Sequence, residues 1–129
     1  AVITGRTDPT LGQPDIPYQA LAEIDTVVIL MGRSNLDEIT KGLIAAGRSP
    51  GTPTACIEMG CTPQQRQVIG TLDIIAQLAA HQGLRAPAVT IVGAVVTLGH
   101  DREAIASSSS EPAETQEAMK PIGQLRSTD

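Results

Sequence analysis

Val27-Val28-Ile29-Leu30-Met31-Gly32 is an unbroken aliphatic run closed by glycine, and Arg33-Ser34-Asn35-Leu36-Asp37-Glu38 follows it directly. The run has the length and β-branched content of a strand covered on both faces. After it the period changes: Leu36, Ile39, Leu43 and Ile44 fall on one face of a helix, with Ser34 or Asn35 as its cap and Gly47 as its stop. Strand, glycine and amphipathic helix in this order form the repeating unit of an α/β fold.

Working outward, Thr54-Ala55-Cys56-Ile57-Glu58-Met59 reads as a second strand ending at Gly60, and Gln67-Val68-Ile69 as a short one. A helix is expected from about Leu72 to Gln82, with Ile75, Leu78 and Ala79 inward and Gly83 as its end. Ala88-Val89-Thr90-Ile91-Val92 is a further strand reaching Gly93, with Val95-Val96-Thr97-Leu98 extending it. A strand-like run also opens the chain at Val2-Ile3-Thr4, without an initiator Met, which reads as a truncation. The expected architecture is a three-layer, mixed, mostly parallel sheet flanked by helices, with the Gln67 strand as an antiparallel addition.

Three strands share an ending: Leu30-Met31-Gly32, Glu58-Met59-Gly60 and Val92-Gly93. In open α/β sheets the ligand crevice lies beyond the carboxyl ends of the strands, and glycine there admits close backbone approach. These endings are the strongest local pointer to a site.

The length of 129 residues allows one core unit plus tails. Residues 1–100 form the expected domain, and 101–129 read as a flexible acidic tail containing Ser107-Ser108-Ser109-Ser110, with a weak helix possible from Glu111 to Lys120. Tyr18 is the single aromatic residue, so a site stacking bases or sugars on several rings is excluded. A formal charge of −5 argues against a nucleic-acid partner held by a basic face. No run reaches the roughly 18 to 20 apolar residues of a membrane span, no signal peptide is seen, and two cysteines are too few for a disulfide scaffold. A cytoplasmic protein with reduced thiols is the expectation.

No Gly-rich phosphate loop of either standard spacing occurs. Cys56, Cys61, His81 and His100 stand five, twenty and nineteen residues apart, which fits no common zinc cluster, so no metal is expected. No nucleophile elbow is present, and catalytic residues are not identified. Arg66, in the loop after the second glycine-ended strand, has the guanidinium to hold a carboxylate in the crevice or to pair with Glu58. Arg33 has a similar but lesser claim, and Glu58 is a candidate base or a structural partner.

Taken in order, Asp25 to Gly32 with the Leu-x-x-Ile helix, Leu43-Ile44-Ala45-Ala46-Gly47-Arg48, Thr52 to Gly60, Gln65 to Leu72, and Ala86 to Val96 resemble the second half of uroporphyrinogen-III C-methyltransferases, members of the tetrapyrrole methylase superfamily. Val2-Ile3-Thr4-Gly5 is similar to the strand and Thr-Gly junction that opens this half. The resemblance implies S-adenosylmethionine-dependent methylation of uroporphyrinogen III at C2 and C7, giving precorrin-2 for sirohaem and cobalamin, with S-adenosylhomocysteine as product. It implies that Met31 and Gly60 contact the cofactor through backbone groups recognising adenine, beside Gly32 and Gly93 at the other strand ends. Thr4, Gly5 and Arg66 become substrate-side candidates. It further implies a homodimer and an N-terminal half that completes the site.

Three positions depart from the family pattern: Arg6 stands where His is usual, Cys61 where Thr is usual, and Ala94 where Glu is usual. They bear on substrate contacts more than on fold. Methyl transfer depends chiefly on positioning, so half a cleft is expected to be inactive alone. The alternatives are a related methylase acting on a precorrin or on diphthamide, and a noncatalytic binding or dimerisation module.

Overall fold

The structure, a computed structural model, describes residues 1–6 and 16–99. Its elements are β1 (Val2–Thr4), α1 (Tyr18–Ala22), β2 (Val27–Leu30), a short 3-10 turn at Arg33–Asn35, α2 (Leu36–Ala45), β3 (Pro53–Glu58), β4 (Arg66–Thr71), α3 (Ile75–His81) and β5 (Ala88–Val92). Five strands form one sheet in the order β1-β2-β5-β3-β4. The tail and its possible helix lie outside the described residues.

The sheet is mixed, as expected, but not mostly parallel. Only β1 and β2 run parallel, whereas β2–β5, β3–β5 and β3–β4 are antiparallel. The cause is the β3–β4 hairpin, in which Glu58 faces Arg66 and Pro53 faces Thr71. It reverses the chain before α3, so β5 enters between β2 and β3 pointing against both.

Alternation along the strands sends Val27, Ile29, Cys56 and Val92 to one face, where they join Leu36, Ile39 and Leu43 of α2 and Ile75 and Ala79 of α3 in a single aliphatic core. α2 thus buries the stripe its spacing predicted, with Ile44 at the margin. Its cap differs from the expectation. Asn35 makes no side-chain capping bond to α2, but donates from Nδ2 to the Gly5 carbonyl at 2.8 Å, tying the helix start to the end of β1. α2 ends as predicted, with Gly47 at a φ of 108° and the Arg48 amide donating to the Leu43 carbonyl.

The opposite face carries Ala55, Ile57, Ile69 and Ile91, which with Val95, Val96 and Gly99 line a cavity of about 190 Å³. Val95 to Leu98 do not extend β5. Gly93, at a φ of 142°, turns the chain, and residues 95–99 are helical over this second face. A side chain at Gly93 would come within 2.3 Å of the Asp25 carbonyl oxygen, so only glycine fits this crossing. Among the described residues, no helix is long and apolar enough to cross a membrane.

Candidate functional site

Antiparallel insertion of β5 decides which strand ends meet. Leu30 at the end of β2 is level with Val89, and Glu58 at the end of β3 is level with Ala88. The carboxyl ends of β2 and β3 therefore flank the start of β5, and Met31-Gly32 and Met59-Gly60 stand on either side of the loop entering it. Gly93, at the far end of β5, is at the opposite end of the sheet, where its amide donates to the Pro53 carbonyl at 2.8 Å. Met31, Gly32 and Gly60 share one edge. Gly93 does not share it.

Both methionines hold the left-handed backbone conformation, with φ of 52° at Met31 and 50° at Met59, and Cys61 follows at 63°. For residues with a β-carbon this conformation is disfavoured, and it clusters where surrounding structure enforces a particular turn. The enforcing contacts are visible at Met59. Its amide donates to the Pro87 carbonyl at 3.0 Å, and its carbonyl accepts from the Thr62 hydroxyl at 2.6 Å. Gln65 closes the loop by accepting the Cys61 amide at 2.8 Å.

Met31 is set by the neighbouring contact of two glycines. The Gly5 amide donates to the Leu30 carbonyl at 2.7 Å, and a Cβ on Gly5 would lie 2.5 Å from the Gly32 Cα. Gly5 is thus a packing residue that lets β1 and β2 end together, with Thr4 exposed beside it. The same contact brings Arg6 to the Met31 edge. There Arg6, Met31, Arg33, Arg85 and the Ala86-Pro87 loop line a cavity of about 820 Å³.

Arg66 is engaged elsewhere. It opens β4 opposite Glu58, approaches that carboxylate at 3.4 Å and donates to the Gln82 carbonyl at the end of α3. It does not line the Met31 cavity. Glu58 is its structural partner. Arg85 escaped the sequence reading, because only the reversed direction of β5 brings residues 85–88 to the carboxyl ends of β2 and β3.

Cys56 is fully buried in the sheet, and burial pushes its thiol pKa up, partly opposed by a hydrogen bond with Thr90 and by the charge of Arg33. A buried neutral thiol of this kind is neither nucleophile nor metal ligand. Cys61 is exposed. Among the described residues no group of three His, Cys, Asp or Glu side chains could hold a metal ion.

Chemically, this edge offers shape, backbone polar groups and positive charge. Neither Met31 nor Gly60 has a hydrogen-bond partner for its peptide N–H or C=O among the described residues. Met31 is 61% exposed. Such free backbone groups suit the edge of a heterocyclic base, and the residues present fit an adenine-bearing ligand without needing aromatic rings.

No family model matches the chain. The chain is 44% identical over 100 residues to an S-adenosyl-L-methionine-dependent uroporphyrinogen III methyltransferase of Methanosarcina barkeri, covering 77% of this chain and 39% of that protein. It is 42% identical over 88 residues to a sirohaem synthase of Acinetobacter baylyi, covering 67% of this chain and 19% of that one. Among solved structures, a uroporphyrin-III C-methyltransferase of Thermus thermophilus complexed with S-adenosylhomocysteine superposes with a TM-score of 0.63 at 33% identity, over 75% of this chain and 42% of that one. A cobalt precorrin-4 methyltransferase shares the fold, with a TM-score of 0.61 at 22% identity. The chain thus spans well under half the length of each of these relatives.

Proposed function

The chain is homologous to uroporphyrinogen-III C-methyltransferases of the tetrapyrrole methylase superfamily, and from that premise we propose that it supplies one wall of an S-adenosylmethionine-dependent methylation site for uroporphyrinogen III. The reading places it as the C-terminal half of the enzyme, completed by an N-terminal half, in a cytoplasmic homodimer. The methylated product is precorrin-2, on the route to sirohaem and cobalamin. The observation that carries the reading is the pair of left-handed Met-Gly turns at one sheet edge, within a chain 44% identical to such a methyltransferase.

When bound, S-adenosylmethionine supplies an activated methyl group. The residues of this chain bind and orient. The free N–H and C=O of Met31 and Gly60 hold the edge of the adenine. Gly32 keeps the turn close to β1, and the bonded loop from Met59 to Gln65 keeps the Gly60 peptide in place. Among the described residues, those lining the Met31 cavity include no carboxylate, His or Cys. The part of this wall is to fix donor and acceptor in line, the main contribution open to an enzyme of this class. The role offered by resemblance to Gly93 is withdrawn from this wall, since it stands at the far end of β5.

The test is methyl transfer from labelled S-adenosylmethionine to uroporphyrinogen III. A chimera joining the complementary half of the Methanosarcina barkeri protein to this chain is expected to turn over, and the 129-residue chain alone to show none. An inactive but folded chimera contradicts the assignment.

A further inference from the structure

Six bases and six acids occur among residues 1–6 and 16–99. Three of those bases have an acid beside them. Lys41 pairs with Asp37 and Arg66 with Glu58, while Arg48 shares a cavity with Glu23 and Asp25 and donates to the carbonyls of Ala22, Ile24 and Asp25. The other three, Arg6, Arg33 and Arg85, line the cavity beside Met31, and among the described residues no acid lines it with them. Like charges gathered without a counter-charge repel one another, and such a gathering is relieved by an anion with several charges.

We propose that Arg6, Arg33 and Arg85 form a wall that grips the carboxylates of a polycarboxylated tetrapyrrole, the substrate class of the reading above on which this inference rests. Arg33 is the anchor of the wall. Its Nε donates to the Leu84 carbonyl at 2.8 Å and it is half-buried, which fixes the guanidinium while leaving its terminal nitrogens to a ligand. Arg6 and Arg85 are exposed at the rim and form no ion pair among the described residues. A cavity of about 820 Å³ has room for one edge of a macrocycle with its acidic side chains. The wall uses Arg6, one of the departures from the family pattern, and takes over the carboxylate role that sequence spacing offered to Arg66.

The test titrates the 129-residue chain with uroporphyrin III, followed by its absorbance. Coproporphyrin III, which has half as many carboxylates, and uroporphyrin methyl ester serve as comparisons. Binding is expected to weaken from the first to the last and to fall with salt. Arg85→Gln and Arg6→Gln, both at exposed positions, are each expected to weaken uroporphyrin binding by about tenfold. Arg33→Lys keeps the charge but loses the fork and is expected to fall between them and the parent. Absent binding by the parent chain, or unchanged binding by both glutamine variants with native circular dichroism, overturns the proposal. In the chimera, an equal loss of S-adenosylhomocysteine binding on Arg85→Gln also overturns it, by assigning the wall to the cofactor carboxylate. Turnover with an unchanged KM for uroporphyrinogen in Arg85→Gln refutes the wall and spares the methylase reading. Intact uroporphyrin binding without turnover in the folded chimera does the reverse.

Discussion

Met31, Met59 and Cys61 are each held in the left-handed region, where a side chain costs roughly 1–2 kcal/mol. At Met59 that cost is set against its bonds with Pro87 and Thr62. Glycine would remove the strain but add about 0.5–1 kcal/mol of chain entropy to be lost on folding. Met59→Gly is therefore expected to change stability by less than about 1 kcal/mol. Met59→Val, with a branch at Cβ, should destabilise by about 2 kcal/mol; urea denaturation of both variants reads the difference. Cys56 gives a second residue-scale test. Its raised thiol pKa means that the unfolded chain loses this proton first as pH rises past the ordinary thiol value of about 8.5. The folded state then binds the extra proton, so stability falls with increasing pH above that value and is unaffected by this group below it. Subtracting the pH profile of Cys56→Ala from that of the parent should isolate the slope, and a flat difference would contradict the burial argument. In the native state a thiol reagent should modify Cys61 quickly and Cys56 only on unfolding.

Among the elements, α2 shows where sequence rules hold and where packing overrides them. An interior glycine in a helix normally costs about 0.5–1 kcal/mol against alanine. Gly42, however, sits under the ring of Tyr18 from α1, where a Cβ would lie 2.5 Å from the ring carbons. Gly42→Ala should thus destabilise the parent chain yet stabilise a Tyr18→Ala background by about 0.5–1 kcal/mol, a coupling that a double-mutant cycle in urea measures. The buried stripe of α2 was legible because Leu36, Ile39 and Leu43 repeat at helical spacing. The strands β2, β3, β4 and β5 were legible as aliphatic runs, since a pleated, covered surface selects such side chains. The antiparallel direction of β4 was expected and is found; that of β5 was not, because an aliphatic run reads alike both ways and the β3–β4 hairpin carries no short turn signature. Val95 to Leu98 misled for a related reason: β-branched residues favour a strand, but the turn forced at Gly93 carries them off the sheet edge into helix. Of the candidate site, Met31, Gly32 and Gly60 were singled out by their place at strand ends, and the strand pairing puts them at one sheet edge. Arg85 was missed because its proximity follows from the direction of β5.

At the scale of the whole molecule, the order β1-β2-β5-β3-β4 gathers the peptide groups of Met31 and Gly60 and the three arginines that make no ion pair among the described residues at one end of the sheet. A ligand binding there stabilises the fold by mass action, by about 2.7 kcal/mol at a concentration one hundred times its Kd. At about 4–8 °C per kcal/mol for a domain near this size, that corresponds to a Tm increase of roughly 11–22 °C. One open wall with an exposed Met31 offers a nucleoside few contacts, so S-adenosylhomocysteine should leave the Tm of the 129-residue chain unmoved and raise it in the chimera with a complementary half. The same shift separates backbone from side-chain recognition. Met31→Ala keeps both peptide groups and should retain most of the shift. Met31→Pro deletes the N–H and fixes φ near −65°, far from the observed 52°, and should abolish it. A chimera in which Met31→Ala removes the shift as completely as Met31→Pro would show that the thioether, not the peptide, makes the contact.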